Sequence, residues 1–371
     1  MWHRTVLTLI FLSGLAYADT YSLRYTGQID NRAGINSLGQ TAGNSLTGHT
    51  FALVWTDGTL TPLGPGTAYG INDDGEVVGQ EGSPAGPGRA TVWKNGSSTD
   101  LGTFADGNAG GGIALGVNSS GVVVGGATAH GVGVNSGIQH AFVYYPGVGK
   151  VDIGTLGGNS SQAFAINNAG DVVGFASPPS GVGIAAFLWH DGIMTSLVSL
   201  PISPSQQSIA YGINDFGLIV GQVFDGQSIA AAVWENGVET LLPKLPGLSD
   251  CLADSVNNAG VITGYCFSNG VYRPFLYEND QLFDLNTFIP SGTGWTLEVA
   301  NGINNAGQIT GYGDFDGNQA GFVLTQCSDD CTIDQPPLPP PSSVPEPSSI
   351  LLFSSGLLIL LRRMQSPTSR S

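Results

Sequence analysis

The chain has 371 residues, of which 56 are Gly, and charged residues make up only 11% of it. Lys and Arg total 11 against 28 Asp and Glu, giving a formal net charge of -17 at pH 7. A surface this anionic repels nucleic acid and anionic lipid headgroups, so we expect no nucleic-acid partner. The many Gly, Val, Thr and Asn beside few Lys and Glu favour strands and turns over surface helices.

The first 18 residues have the features of a cleavable signal peptide. A basic start at Arg4 is followed by an apolar stretch, and Ala16, Tyr17 and Ala18 form an A-x-A cleavage site. We therefore expect residues 1–18 to be removed and the chain to be exported, with the mature protein beginning at Asp19. The apolar stretch is too short to stay in a membrane as a spanning helix.

The alternating segment of residues 21–25 precedes a sevenfold repeat that fills the interior of the chain. Each copy contains a Gly, Ala or Ser, then Ile or Val, then an Asn-x-x-Gly turn. The seven asparagines are Asn36, Asn72, Asn118, Asn167, Asn214, Asn257 and Asn304, about 45 residues apart. An aromatic strand residue follows in six copies, at Trp55, Trp93, Tyr144, Trp189, Trp234 and Tyr277.

Each copy is predicted to form two hairpins. In Asn-x-x-Gly the Asn side chain can fold back onto the turn, and Gly takes the positive φ that ends it. Pairs such as Asp57-Gly58 and Asn95-Gly96, between β-branched and aromatic residues, indicate the second hairpin. Four strands in about 45 residues match a β-propeller blade. We therefore predict an all-β protein, a β-propeller of seven four-stranded blades, with a β-solenoid as the competing architecture.

The two ends of the repeat domain are complementary. The seventh copy stops after its third strand, at residues 320–324, and lacks the fourth strand of the other copies. Pairing residues 21–25 with that strand would close the ring and remove an open sheet edge.

The four cysteines are Cys251, Cys266, Cys327 and Cys331. Pairing Val256 with Val261 in the intervening hairpin places the first two cysteines opposite each other, at a separation that a disulfide can bridge. The last two close a five-residue loop. A metal site is the alternative, but no His accompanies either pair. We expect two disulfides, which fit an oxidising compartment.

The copies resemble the HAF repeat of bacterial extracellular proteins. The match is clearest at His140-Ala141-Phe142, then at residues 152–158 and 165–174, and it covers nearly all of residues 34–324. It weakens toward the C-terminal half, where the His is lost. This family has no established activity, so the resemblance implies an architecture and an extracellular location but no chemistry.

The last 28 residues resemble the PEP-CTERM sorting signal of Gram-negative bacteria. The matching parts are Val344, Pro345, Glu346 and Pro347, an apolar run that begins at Ile350 and ends at Leu361, and then Arg362 and Arg363. The run would rise about 18 Å as a helix, well short of a bilayer core. The resemblance implies transient retention in the inner membrane and cutting near residues 344–347 by an exosortase. An ordinary C-terminal anchor is the alternative.

These segments define the expected organisation of the chain. A signal peptide (1–18) precedes the HAF-repeat propeller (19–328), a stiff Pro-rich linker (329–343) and the sorting signal (344–371).

No catalytic motif is present: the sequence lacks a Gly-x-Ser-x-Gly elbow, a P-loop, a His-Glu-x-x-His and a complete dinucleotide fingerprint. We therefore assign no catalytic, cofactor-binding or metal residue. His49 and His140 lie near equivalent strand starts, which the repeat explains better than a shared metal site. The recurrent Trp and Tyr could stack on sugars, but blade-to-blade packing explains one position per blade more simply. Residues 314–318 resemble part of a calcium loop without its distal Glu, so we treat them as an acidic turn, with calcium as the alternative.

Two classes of function remain. The first is a structural or binding protein of the cell surface or extracellular matrix, with a polysaccharide or surface protein as partner. The second is a secreted propeller enzyme acting on polysaccharide, a lyase or glycosidase, whose carboxylates would gather at the central axis. The acidic candidates Asp73, Asp74, Asp171 and Asp215 fall in the repeated hairpin itself, which favours the first class.

Overall fold

The structure is a computed structural model that describes residues 20–46, 51–82, 88–104, 110–129, 138–198, 206–327 and 331–335. The predictions for residues 1–18 and 344–371, including both processing sites, lie outside the described residues, as do His49 and His130. Among the residues that are described, no helix is long and apolar enough to cross a membrane.

Seven antiparallel sheets form the seven blades of a propeller, which confirms the predicted all-β fold. Blade 7 contains β1 (Thr20–Gly27), which precedes the repeats in the chain, and the last three strands. Blade 1 contains β2 (Thr41–Asn44), β3 (Phe51–Thr56) and β4 (Thr59–Pro65). Blade 2 contains β5 (Thr67–Ile71), β6 (Val77–Glu81), β7 (Arg89–Lys94) and β8 (Ser97–Asp100). Blade 3 contains β9 (Gly112–Val117), β10 (Val123–Thr128), β11 (Gln139–Tyr145) and β12 (Gly149–Gly154).

The remaining blades follow the same order. Blade 4 contains β13 (Ser161–Ile166), β14 (Val172–Ala176), β15 (Ala185–His190) and β16 (Ile193–Ser196). Blade 5 contains β17 (Gln207–Ile213), β18 (Ile219–Phe224), β19 (Ile229–Glu235) and β20 (Val238–Leu241). Blade 6 contains β21 (Asp250–Val256), β22 (Ile262–Ser268), β23 (Val271–Glu278) and β24 (Gln281–Asp284), followed by a 3-10 turn (Leu285–Phe288). Blade 7 is completed by β25 (Trp295–Ile303), β26 (Ile309–Phe315) and β27 (Asn318–Cys327).

The second hairpin turns as the sequence predicts in the blades where its turn is Asp-Gly or Asn-Gly. Asp57 and Asn95 have φ of 45° and 51°, and the glycines that follow them also have positive φ. Two consecutive left-handed residues give a turn whose twist matches that of the flanking strands. The pair without Gly, Asn279 and Asp280, adopts the same conformation, with φ of 51° and 60°.

The ring closes through β1, as predicted. β1 pairs antiparallel with β27, so that Leu23 lies opposite Leu324, and both side chains are fully buried. The outer edge of β1 is covered in turn: the Leu23 N–H donates to the Thr332 carbonyl and the Leu23 carbonyl accepts from Asp334 N–H, both at 2.8 Å. The compact unit therefore extends to Gln335.

Blade 1 departs from the pattern of the other six. Its sheet has three strands, and the innermost place is taken by an irregular segment joined to the sheet through the isolated bridges Ile29–Ser45 and Ile35–Thr41. A turn interrupts this segment, with Asn31 at φ 48°. The Asn31 side chain compensates by donating to the carbonyls of Gly311 and Phe322 in blade 7.

Both predicted disulfides are present, Cys251–Cys266 and Cys327–Cys331. Cys251 lies directly opposite Cys266, with the two Cα atoms 3.9 Å apart. The register at the turn is shifted by one from the expected one, because Val256 pairs with Ile262 and not with Val261. A one-residue bulge at Asp254 restores the register before the cysteines are reached.

The recurrent aromatic residues pack between blades. Trp55, Trp93 and Trp234 are almost completely buried, and the last two pack against Ala and Val side chains of neighbouring sheets. Such burial leaves no free ring face for a sugar, so these three tryptophans are packing residues, as expected. The Phe of the HAF motif, Phe142, and its equivalents Phe187, Phe275 and Phe322 are fully buried as well.

Candidate functional site

The seven repeat asparagines form a closed ring of hydrogen bonds around the axis. In each blade the Asn Nδ2 donates to the backbone carbonyl of the equivalent Asn in the next blade, at 2.9–3.2 Å. The last bond joins Asn304 to Asn36 and completes the circle. Each side chain also holds its own turn, as predicted: Asn214 Oδ1 accepts from the N–H groups of Phe216 and Leu218. One residue type therefore serves both the turn and the joint between blades.

An aliphatic collar lies next to the asparagine ring. It is formed by the residue that precedes each ring asparagine, namely Ile35, Ile71, Val117, Ile166, Ile213, Val256 and Ile303. These seven side chains line two cavities on the axis: one of about 200 Å³ that the asparagines also line, and one of about 570 Å³. The larger volume is that of a typical small-molecule site.

The larger cavity is lined by a ring of bulge residues. In six blades the inner strand carries a one-residue β-bulge three positions before the ring asparagine. The bulged residues are Tyr69, Leu115, Phe164, Tyr211, Asp254 and Asn301, and all of them line the cavity. In blade 1, Arg32 and Ala33 take this place. A bulge turns a side chain out of the alternation of its strand, and here it turns one side chain per blade toward the axis.

Close approach of the blades explains the glycine that follows most of the bulges. A Cβ on Gly116 would lie 2.8 Å from the carbonyl oxygen of Phe164, the bulge residue of the next blade. Gly70 and Gly212 meet the bulge carbonyls of their neighbours in the same way. The glycine thus lets consecutive bulges pack side by side around the axis.

The wall of the cavity has an apolar side and a polar side. Leu115 and Phe164 form the apolar side, and the Phe164 ring packs edge-on against Tyr211 with centroids 5.3 Å apart. Asp254 and Asn301 lie on the polar side together with Arg32 of blade 1. Tyr265 and Tyr312, from the second strands of blades 6 and 7, complete it. A ligand with one apolar face and one polar face matches this division.

Asp254 is the carboxylate of this wall. Burial raises its pKa to about 8, although the positive charge of Arg32 opposes the shift. No described residue donates a hydrogen bond to its side chain. Arg32 does not reach it, since its Nε lies 3.8 Å from Oδ2 of Asp30 instead. A desolvated carboxyl group without a protein partner is free to bind a ligand.

An aromatic ladder leads outward from the cavity on blade 6. Tyr265 lies 6.1 Å from Tyr272 and 5.9 Å from Phe267, measured between ring centroids. Phe267 and Tyr272 are stacked, at 5.8 Å and 19° between their planes. Tyr272 is 42% exposed, so the ladder joins the cavity wall to the surface.

The histidine of the HAF motif does not reach the cavity. His140 Nδ1 lies 2.8 Å from Asp152 Oδ2 in the same blade. Arg89 and Arg273 occupy the equivalent position in other blades and approach Asp100 and Asp284 at 3.4 and 3.7 Å. The motif therefore joins the third strand of a blade to the fourth by a cross-strand polar pair. His190 makes a different contact, with Asp171, which raises the pKa of the imidazole.

Two of the acidic candidates taken from the sequence lie near the ring asparagines. Asp73 and Asp215 line the smaller cavity. Burial would raise the pKa of Asp215, but hydrogen bonds from Asn258 and Asn168 outweigh it and lower the pKa. Within the described residues, no three His, Cys, Asp or Glu side chains converge as metal ligands. The carboxylate of Asp314 instead accepts the Gly317 N–H at 2.8 Å in a hairpin turn.

Sequence reasoning missed Asp254, although a signal for it exists. When the seven copies are aligned on the ring asparagine, the position three residues earlier differs between blades, while the residues around it hardly change. A position that varies between repeats whose other positions are constant indicates a role in ligand specificity rather than in packing.

The fold is shared with propellers of known structure. The β-propeller domain of the Trilobed protease from Pyrococcus furiosus, which has an open velcro topology, is 9% identical with a TM-score of 0.51, covering 84% of this chain and 96% of that one. The acylaminoacyl peptidase of Pyrococcus horikoshii is 11% identical with a TM-score of 0.50, covering 83% of this chain and 52% of that one.

A prolyl endopeptidase is 9% identical with a TM-score of 0.50, covering 84% of this chain; our chain spans about half of its length, 51%. No family model matches this chain, and no curated protein matches it. At these identities the likeness establishes the propeller fold alone.

Proposed function

We propose that the chain is an exported HAF-repeat protein of the cell surface or extracellular matrix, which binds a ligand in its axial cavity without catalysis. The observation that carries the proposal is the ring of bulge residues. In six of the seven blades one bulged side chain is turned toward a cavity of about 570 Å³, and these six positions hold five residue types while the residues around them repeat. Both disulfides support an oxidising, extracellular setting.

The number of carboxylates in the cavity wall favours ligand binding over glycoside hydrolysis. Glycosidases use two carboxyl groups about 5–10 Å apart, one on each side of the scissile bond. Among the described residues that line the larger cavity, Asp254 is the single carboxylate. A glycosidase would require a second carboxyl group there, so it is the less favoured alternative; a polysaccharide lyase is tested by the cleavage assay below.

Binding is tested with a glycan array probed by the purified exported protein. We expect wild type to bind a subset of glycans and the Asp254→Asn variant to lose most of that signal, because its carboxyl group lies in the cavity wall. Glu235→Gln is the matched control, since it removes one carboxylate from an exposed site at the end of β19. Equal binding by all three proteins, or cleavage of a bound polysaccharide by wild type, contradicts the proposal.

Export and sorting are tested separately. We propose that an exosortase-like enzyme cuts near residues 344–347 and releases the propeller on its Pro-rich linker. Replacing Pro345, Glu346 and Pro347 by Ala should leave an uncut, membrane-retained form in a host that has the sorting enzyme. The control replaces Pro339, Pro340 and Pro341 of the linker and should be processed normally. Processing of the first variant at the wild-type rate refutes the sorting signal.

A further inference from the structure

We propose that the ligand of the axial cavity carries a protonated amine on a small, partly apolar and hydroxylated body, as an amino sugar does. The ammonium group would bind the Asp254 carboxylate, and the apolar face would lie against the aromatic wall. This inference rests on the proposed function, because it names the ligand chemistry of the same cavity.

The first argument concerns the partner that Asp254 lacks. The side chain lines the cavity, and no described residue donates a hydrogen bond to it or lies within ion-pair distance of it. Arg32, the one Lys or Arg among the described lining residues, is beside Asp30. Asp254 is half-buried in the cavity wall, and a carboxyl group withdrawn from solvent in this way is normally paired, so the missing partner is expected to come from a ligand. An ammonium group satisfies it with charge-assisted hydrogen bonds.

The second argument concerns the tyrosines of the wall. Tyr211, Tyr265 and Tyr312 all line the cavity, and none of their hydroxyl groups has a hydrogen-bond partner among the described residues. Burial raises the pKa of each hydroxyl, and the charge of Asp254 adds to the effect at Tyr211 and Tyr265. These side chains therefore stay neutral. They offer hydroxyl groups to a polar ligand and aromatic rings to its CH groups and to a cation.

The third argument concerns charge on a larger scale. The chain has a formal net charge of -17 at pH 7, so its field draws cations to the surface and into its openings. Near Tyr312, the carboxyl groups of Asp30 and Glu298 add negative charge, against the single positive charge of Arg32. A cationic ligand is favoured over a neutral or anionic one of the same shape.

Binding of an ammonium ion should release a proton. Because burial raises the pKa of Asp254 to about 8, its carboxyl group is mostly protonated at neutral pH before a ligand binds. A bound cation favours the ionised form, so the proton leaves as the ligand enters. The other titratable groups that line the cavity are Arg32, Tyr69, Tyr211, Tyr265 and Tyr312. Burial raises the pKa of the last three, so they do not supply the released proton.

Isothermal titration calorimetry on the full exported protein tests this inference. The probes are glucosamine with its neutral match N-acetylglucosamine, and the sugar-free amine cadaverine with its neutral match N,N′-diacetylcadaverine. We expect at least one amine to bind about tenfold more tightly than its acetylated match. Tight binding by glucosamine alone identifies an amino sugar, whereas equal binding by cadaverine identifies a general amine site. Titration near pH 7 in two buffers of different ionisation enthalpy should show proton release.

The Asp254→Asn variant should lose the preference for the amine and the proton release, while the Glu235→Gln control keeps both. If neither amine binds more tightly than its acetylated match, the inference is overturned. In that case binding of N-acetylglucosamine, or a positive glycan array, leaves the proposed binding function standing. Proton release by the wild-type protein tests the coupling of ligand binding to deprotonation even if the Asp254→Asn variant folds poorly.

Discussion

Two positions that lie three residues apart on the same inner strands follow opposite rules. The ring asparagine is identical in all seven blades, and its side chain bonds to the next blade. The bulge position differs from blade to blade, and its side chain lines the cavity. The residues that join the blades and the residues that line the cavity are therefore kept apart by only three positions in each repeat.

The separation has a physical cause. A ring asparagine such as Asn214 satisfies two N–H groups of its own turn and one carbonyl of the neighbouring blade, so no other side chain replaces it without a loss. The side chain of a bulge residue lines the cavity and takes no part in the hydrogen bonds of the asparagine ring. Its chemistry can therefore change without cost to the ring.

Removing β1 should have the largest effect, because it breaks the frame without touching the bulge residues. Deletion of residues 20–27 exposes the edge of β27 and removes the fully buried Leu23. We expect the free energy of unfolding to fall by about 5 kcal/mol or more. Thermal unfolding followed by circular dichroism measures this, with Leu23→Ala as an intermediate case at about 3 kcal/mol. An unchanged melting temperature would show that closure does not stabilise the ring.

Asn214→Ala comes next. It removes one buried and two half-buried hydrogen bonds and leaves the Asn257 carbonyl with the Gly260 N–H as its remaining donor. We expect a loss of about 4 kcal/mol in denaturant unfolding. Asn168→Ala is the matched control, since the exposed Asn168 side chain bonds to Ser119 of blade 3 and Asp215 of blade 5, and its loss should cost less than about 1 kcal/mol. Similar losses for both variants would contradict the special role of the ring.

Asp254→Asn should change the pH dependence of stability. The pKa of Asp254 is raised to about 8 in the folded protein, so the folded state holds a proton that the unfolded state releases above about pH 4. Wild type therefore loses stability as the pH rises from about 4 to about 8, and the variant should lack this part of the decline. Denaturant unfolding at several pH values checks the difference. Parallel profiles for the two proteins would show that Asp254 titrates normally.

Tyr211→Phe should have the smallest effect on stability. The hydroxyl group has no hydrogen-bond partner among the described residues, and the ring contact with Phe164 is kept. We expect a change within about 0.5 kcal/mol in unfolding, together with weaker ligand binding. A large loss of stability would show that Tyr211 helps to hold the ring together and does not only line the cavity.

Most of the frame could be predicted from the sequence, because its determinants are local. Turn pairs such as Asp57-Gly58 specify the hairpins, and the spacing of Asn257 from its equivalents gives the number of blades. The Cys251–Cys266 partnership was also predicted, although from a register shifted by one residue at the turn. The irregular inner segment of blade 1 was not predicted, because its substitute bonds come from Asn31 reaching into blade 7.

The sequence by itself determined the repeat, its hairpins and the cysteine pairs, since turn chemistry and strand register act over a few residues. The closing strand was indicated because the last copy lacks a fourth strand. Only the tertiary structure decided that the asparagines form one ring, because their bonds join residues more than 30 positions apart. It alone decided that the bulges aim Asp254 and Tyr211 into a shared cavity. A bulge is a property of how two strands pair, and a cavity is a property of seven blades together.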